Sequence, residues 1–170
     1  MTREGVAPPG DRATVSVVVG VPPEVAFDVF TNEIDLWWRR GAQYRVLGRS
    51  PGTLCLEPRL GGRLFESYPA DSGAHVIEVG RVTAWEPPTR LVLNWRARNF
   101  AADESTEVEV RFEACRAGTQ VTVQHRGWAA LRPDHPARHG LQGAALSRVI
   151  GLWWGDLMSA LREFIAERAN

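Results

Sequence analysis

Three residues with acid–base potential sit inside otherwise apolar, alternating stretches: Glu66, Tyr68 and His125. Glu66 and Tyr68 share strand parity with Leu64, and His125 shares parity with Val121 and Val123. If those faces are the buried ones, a carboxylate, a phenol and an imidazole point into one apolar interior. There they could orient a ligand or act as acid and base. The cost of burying an unpaired carboxylate favours a different arrangement: a bulge after Gly61-Gly62 turns Glu66 to solvent, and His125 bonds a nearby carbonyl. The sequence leaves both readings open. His135 and His139 have the spacing of two metal ligands on a helix, but Pro136 and Gly140 interrupt a helix there and no third ligand is close in sequence, so no metal is expected. Gly61-Gly62 is flanked by strands, not by a helix N-terminus, and is no phosphate loop. No nucleophile–base motif of the GxSxG kind is present. The chain has no lysine, which excludes Schiff-base chemistry and a P-loop lysine; no cofactor is expected. Cys55 and Cys115 lie in separate expected strands, form no CxxC and read as buried structural thiols.

The elements that position these groups follow from periodicity. Leu141 to Arg168 reads as one long helix, with Leu146, Ile150, Trp153, Leu157, Leu161 and Phe164 on one stripe. Val149, Trp154, Met158 and Ile165 widen it. Trp153 and Trp154 point about 100° apart on a helix. Trp153, on the central stripe, is expected over the interior, with Trp154 packed toward Trp37 and Trp38. Ala13 to Gly20 is a strand, followed by a short helix opening at Pro23 and running to about Thr31. Asn32 can cap a second short helix that carries Trp37 and Trp38. These rings either plug one end of the core or line a ligand entrance. Further strands are expected at Tyr44–Arg49, Thr53–Glu57, Arg63–Tyr68, His75–Trp85, Arg90–Arg98, Thr106–Ala114 and Thr119–Arg126. Tight turns between them, such as Pro51-Gly52 and Gly118, imply an antiparallel sheet of about six or seven strands. The C-terminal helix is the one element long enough to cover its buried face.

With 170 residues, 20 basic and 20 acidic side chains and 44% apolar content, the chain reads as one ordinary globular domain, 13–168, behind a loose tail, 1–12. Zero net charge argues against nucleic acid or an anionic membrane as partner. No apolar run suits a signal peptide or a membrane span, so the cytoplasm is the default compartment.

Four stretches carry a resemblance to a known family. Val21–Trp38, VPPEVAFDVFTNEIDLWW, resembles the opening helices of the START-like, or SRPBCC, superfamily. LEPRLGGRLFE at Leu56–Glu66, GRVTAWEPPTRLVLNW at Gly80–Trp95 and TEVEVRFEACRAGTQVTVQHRGW at Thr106–Trp128 resemble the Hsp90-ATPase-activator-homologue branch of it. The resemblance implies an α+β helix-grip fold, with a curved antiparallel sheet gripping the C-terminal helix and an apolar cavity between them. The double Trp at 37–38, the stretch around His75 and the QHRGW segment are also similar to self-sacrifice resistance proteins of enediyne producers, which implies a polyketide-derived ligand.

The expectation drawn from residues and resemblance together is a small hydrophobic ligand, sequestered or carried among Trp37, Trp38, Glu66, Tyr68, Trp95, Phe112, His125, Ile150, Trp153 and Leu157. Two alternatives accompany it. One is a cyclase- or dehydratase-like enzyme with His125 and Glu66 as acid–base pair. The other is a protein-interaction module of the Hsp90-activator kind. A homodimer is compatible with either.

Overall fold

The computed structural model describes residues 11–46, 52–96 and 99–170. Most of the expected tail, the second half of the expected Tyr44–Arg49 strand, Pro51 of the Pro51-Gly52 turn, and Ala97 and Arg98 at the end of the Arg90–Arg98 stretch lie outside the described residues.

Seven strands form one antiparallel sheet: β1 (Arg12–Val19), β2 (Thr53–Leu56), β3 (Arg63–Ala70), β4 (Gly73–Glu86), β5 (Arg90–Trp95), β6 (Thr106–Cys115) and β7 (Gly118–Arg126). Their order in the sheet is β1-β7-β6-β5-β4-β3-β2. Two helices, α1 (Pro23–Asn32) and α2 (Ile34–Trp37), follow β1, and α3 (Gly143–Arg168) closes the chain. At 26 residues α3 is about 39 Å long. This is the helix-grip arrangement: the sheet curls around α3.

The curl has a local cause. Leu64 pairs with Gly80 while Phe65 pairs with Glu78, and Val82 pairs with Leu93 while Ala84 pairs with Val92. In both places the extra residue, Val79 and then Thr83, is on β4. Bulges bend and twist the strand that carries them. Because the first bulge is on β4 and not on β3, the alternation of β3 is unbroken: Leu64, Glu66 and Tyr68 all point inward. The bulge expected in the strand after Gly61-Gly62 is therefore not on that strand, and Glu66 is not turned to solvent.

Gly118 makes the β6–β7 turn at φ +136°, and a Cβ there would overlap the carbonyl of Val19. The core unites the inner sheet face, α1 and α3, with Phe27, Phe30 and Phe112 in edge or tilted ring contact at about one end. The outer face of the sheet carries an ionic cluster. Glu109 takes Arg90 at 2.7 Å and Arg111 at 3.0 Å, and Arg126 bonds Glu107. Burial raises the Glu109 pKa, but the arginine hydrogen bonds and charges outweigh it and hold the carboxyl below its ordinary value.

Four local expectations are corrected. Residues 41–46 form turns and not a strand, because Tyr44 and Arg45 are held by side chains and by the Gly41 carbonyl rather than by a neighbouring strand. Asn32 does not cap α2; its amide bonds Asp28 one turn back, and Glu33 occupies the cap position. The buried stripe of α3 is Leu146, Ile150, Trp154, Leu157, Met158, Leu161 and Ile165, so it is centred one residue later than Trp153 and Phe164 suggest. Cys115 is exposed at the end of β6, and Cys55 is half-buried.

Candidate functional site

Between the inner sheet face and the first half of α3 lies a cavity of about 720 Å³. That is within the range of small-molecule sites. Trp38, Trp95, Trp153, Ile150, Glu66 and His125 line it, together with residues of the 42–46 segment. The remaining expected site residues are placed elsewhere. Trp37 is buried against Phe30 and donates its indole N–H to the Phe30 carbonyl. Phe112 packs on Phe27 and Phe30, and Leu157 is a fully buried residue of α3 two turns past Ile150. Tyr68 is buried beneath Gly52 and is not part of the cavity wall. All four are inward, Tyr68 and Phe112 by strand parity and Trp37 and Leu157 by their place on a helix, but an inward position says only that a side chain is buried. It does not say which end of the core it reaches.

The two adjacent tryptophans of α3 divide their tasks as their 100° separation requires. Trp153 is half-buried, lines the cavity and donates to the Gln43 carbonyl at 2.8 Å. Trp154 is 1% exposed and belongs to the core, in ring contact with Trp38 and Trp95.

Trp154 also determines the state of His125. Its Nε1–H donates to His125 Nδ1 at 3.1 Å. Since indole is a donor only, Nδ1 must be the acceptor and Nε2 must carry the proton. Nε2–H then donates to Thr106 Oγ1 at 2.7 Å, and the Thr106 hydroxyl turns toward the Trp95 carbonyl at 3.5 Å. The imidazole is 2% exposed, and burial pushes its pKa down to about 3. His125 is thus a neutral ring with both nitrogens occupied. It stiffens the wall and offers no free nitrogen to a ligand.

Glu66 differs. It is 1% exposed. Its Oε2 accepts the Val46 amide at 2.7 Å, whereas Oε1 is buried with no hydrogen-bond partner among the described residues. Trp128, also in the wall, has a buried indole N–H in the same condition. Sequence reasoning did not single out Trp128; its place after the QHR end of β7 was the available signal.

It also missed the strap formed by 39–46, which closes the cavity on one side. The Trp38 indole donates to the Tyr44 carbonyl at 3.0 Å, and the Tyr44 hydroxyl donates to Asp156 on α3 at 2.8 Å. Arg45, almost fully buried, donates to Asp35 Oδ1 at 2.7 Å and to the carbonyls of Arg39, Asp35 and Trp38. Asp35 Oδ1 also accepts the Leu54 amide at 2.8 Å. Burial pushes the Asp35 carboxyl up, but the bonds from Arg45 and Leu54 and the two arginine charges prevail and keep its pKa low.

His135 and His139 flank a single 3-10 turn, Pro136–Arg138, and not a helix. His135 Nδ1 accepts the Ala137 amide, its Nε2 lies 3.4 Å from Glu104, and Phe100 meets its ring edge-on. Among the described residues no group of three His, Cys, Asp or Glu side chains is placed to hold a metal ion. None of the described helices is long and apolar enough to cross a membrane.

Solved structures share this architecture. A protein from Mesorhizobium loti superposes with a TM-score of 0.59 at 20% identity, over 94% of this chain and 98% of its own. A Staphylococcus aureus protein of unknown function gives 0.64 at 13% identity, over 93% and 94%. An Hsp90 activator from Plasmodium falciparum gives 0.60 at 18% identity, over 92% and 96%. At these identities the likeness is one of fold. A comparison with curated proteins gives no match. The sequence profile of the family described as activator of Hsp90 ATPase homolog 1-like protein matches residues 20–147, which is most of the chain. The protein belongs to the activator of Hsp90 ATPase homolog 1-like family.

Proposed function

We propose that the protein binds a small hydrophobic, aromatic or polyketide-like ligand between its sheet and α3, and acts by sequestration, carriage or self-resistance. The observation that carries this reading is the cavity of about 720 Å³ walled by Trp38, Trp95 and Trp153. Such rings supply large apolar faces at little conformational cost. The cyclase-like alternative relied on His125 as one half of an acid–base pair, and the engagement of both its nitrogens by Trp154 and Thr106 speaks against it. The interaction-module alternative draws on the family and on the shared fold of the Plasmodium falciparum Hsp90 activator.

The test is a fluorescence titration with N-phenyl-1-naphthylamine, an uncharged apolar probe. Saturable quenching of tryptophan emission in the wild type, weakened in Trp153→Ala, supports the reading. A linear, non-saturating response, or saturation indifferent to Trp153→Ala, refutes it. Saturable binding of a purified Hsp90 that is likewise indifferent to Trp153→Ala would favour the interaction module instead.

A further inference from the structure

The cavity wall contains a buried carboxyl group, Glu66, that no cation pairs with among the described residues. Glu66 lies on the inward face of β3 because the neighbouring bulge is on β4, so its burial follows from the fold and not from a flexible loop. One carboxylate oxygen is used by the Val46 amide, and the other has no hydrogen-bond partner among the described residues. Burying a carboxylate is unfavourable unless it is hydrogen-bonded and paired with a cation.

Among the described residues, the other titratable groups of the wall do not supply that cation. Arg45 lines the same cavity, but its guanidinium is committed to Asp35 and to three backbone carbonyls. His125 has both nitrogens engaged in its neutral form. His139 is exposed at the rim. The rest of the wall is dominated by indole rings, and Trp is the aromatic side chain that attracts a cation most strongly to its face. A buried carboxylate oxygen in a wall of indole rings is complementary to an ammonium group attached to an apolar body.

We propose that the ligand carries a protonated amine, whose N–H donates to Glu66 Oε1 while its apolar portion lies among Trp38, Trp95 and Trp153. This rests on the reading of the cavity as a ligand site and adds the sign of the ligand's charge. A neutral hydroxyl would satisfy the hydrogen bond but not the charge, and an anion would meet like charge.

The test uses three probes with one ring system: 2-naphthylmethylamine, 2-naphthylmethanol and 2-naphthoate. Each is titrated by calorimetry at neutral pH into the wild type and into Glu66→Gln. Gln keeps an acceptor for the Val46 amide and removes the charge. The expected result is an amine that binds the wild type about 10-fold or more tighter than the alcohol, with the carboxylate weakest. In Glu66→Gln the amine should fall to the level of the alcohol while the alcohol is little changed. The preference should persist in high salt, because a buried pair is screened less than a surface attraction. Equal affinity of amine and alcohol for the wild type overturns the proposal and leaves the cavity reading intact. So does an amine preference that survives Glu66→Gln. Binding of none of the three probes overturns both. The wild-type comparison needs no variant, so a misfolded Glu66→Gln could not rescue the idea.

Discussion

The neutral state of His125 makes the folded protein sensitive to acid well above the range in which carboxylates titrate. In the fold the imidazole pKa is about 3, against 6.5 for the free side chain, and burial is the cause. Above the unfolded value both states bind no proton and His125 contributes nothing to the pH dependence. Below it the unfolded chain takes up a proton that the folded chain refuses until the pH approaches 3. Stability must therefore fall as pH falls through this window, by about 1.4 kcal/mol per pH unit for one proton. Between pH 6.5 and roughly pH 5 the loss is about 2 kcal/mol, or on the order of 4–8 °C in Tm for a chain of this size. The carboxyls held low, Asp35 and Glu109, lose their contribution only at more acid pH, so this upper window isolates histidine. The assay is urea unfolding at several pH values across the window, on the wild type and on His125→Gln. Gln can accept from Trp154 and donate to Thr106, so it retains the two bonds without the titration. The wild type should show the steeper pH dependence, with His125→Gln flatter by about one proton. Parallel slopes would refute the argument that this imidazole is buried and neutral.

Three further outcomes follow from the same geometry. Thr106→Val keeps the side-chain shape but leaves the buried His125 Nε2–H without an acceptor, and should cost about 1–3 kcal/mol in urea unfolding. Gly62→Ala places a Cβ against the Glu57 carbonyl, a backbone atom that cannot rotate away, and should lower Tm far more than the alanine change at open Gly151. With a thiol reagent such as dithionitrobenzoate, exposed Cys115 should react first. Half-buried Cys55, whose pKa is raised by burial and then by the Asp35 charge, should lag well behind; equal rates would contradict the placement of both thiols.

Strand alternation was a strong guide to the sheet, because a period of two ties each inward residue to its neighbours two positions away. It put Leu64, Glu66 and Tyr68 on one face, and Val121, Val123 and His125 on another stretch of the same face. The helical period of Leu141–Arg168 was equally plain, although its centre is displaced by one residue, since Trp153 is drawn to the strap while Trp154 is buried on His125. The strap could not be read this way. Residues 41–46 have no period; their path is determined by hydrogen bonds that Trp38, Arg45 and Trp153 donate to backbone carbonyls and by the one Tyr44 donates to distant Asp156.

The sequence by itself determined the class of fold, an antiparallel sheet around a C-terminal helix, and most of the inward-facing residues. Those properties follow from local periodicity and turn chemistry, which are written residue by residue. The tertiary structure alone decided what the polar inward residues do. Glu66 and His125 are both buried members of apolar strands, and alternation treats them alike. They differ because Trp154 and Thr106 meet both nitrogens of His125, whereas among the described residues Glu66 accepts a single hydrogen bond, from the Val46 amide. Hydrogen-bond satisfaction depends on the relative placement of several elements in three dimensions. That placement leaves Glu66 Oε1 without a hydrogen-bond partner among the described residues.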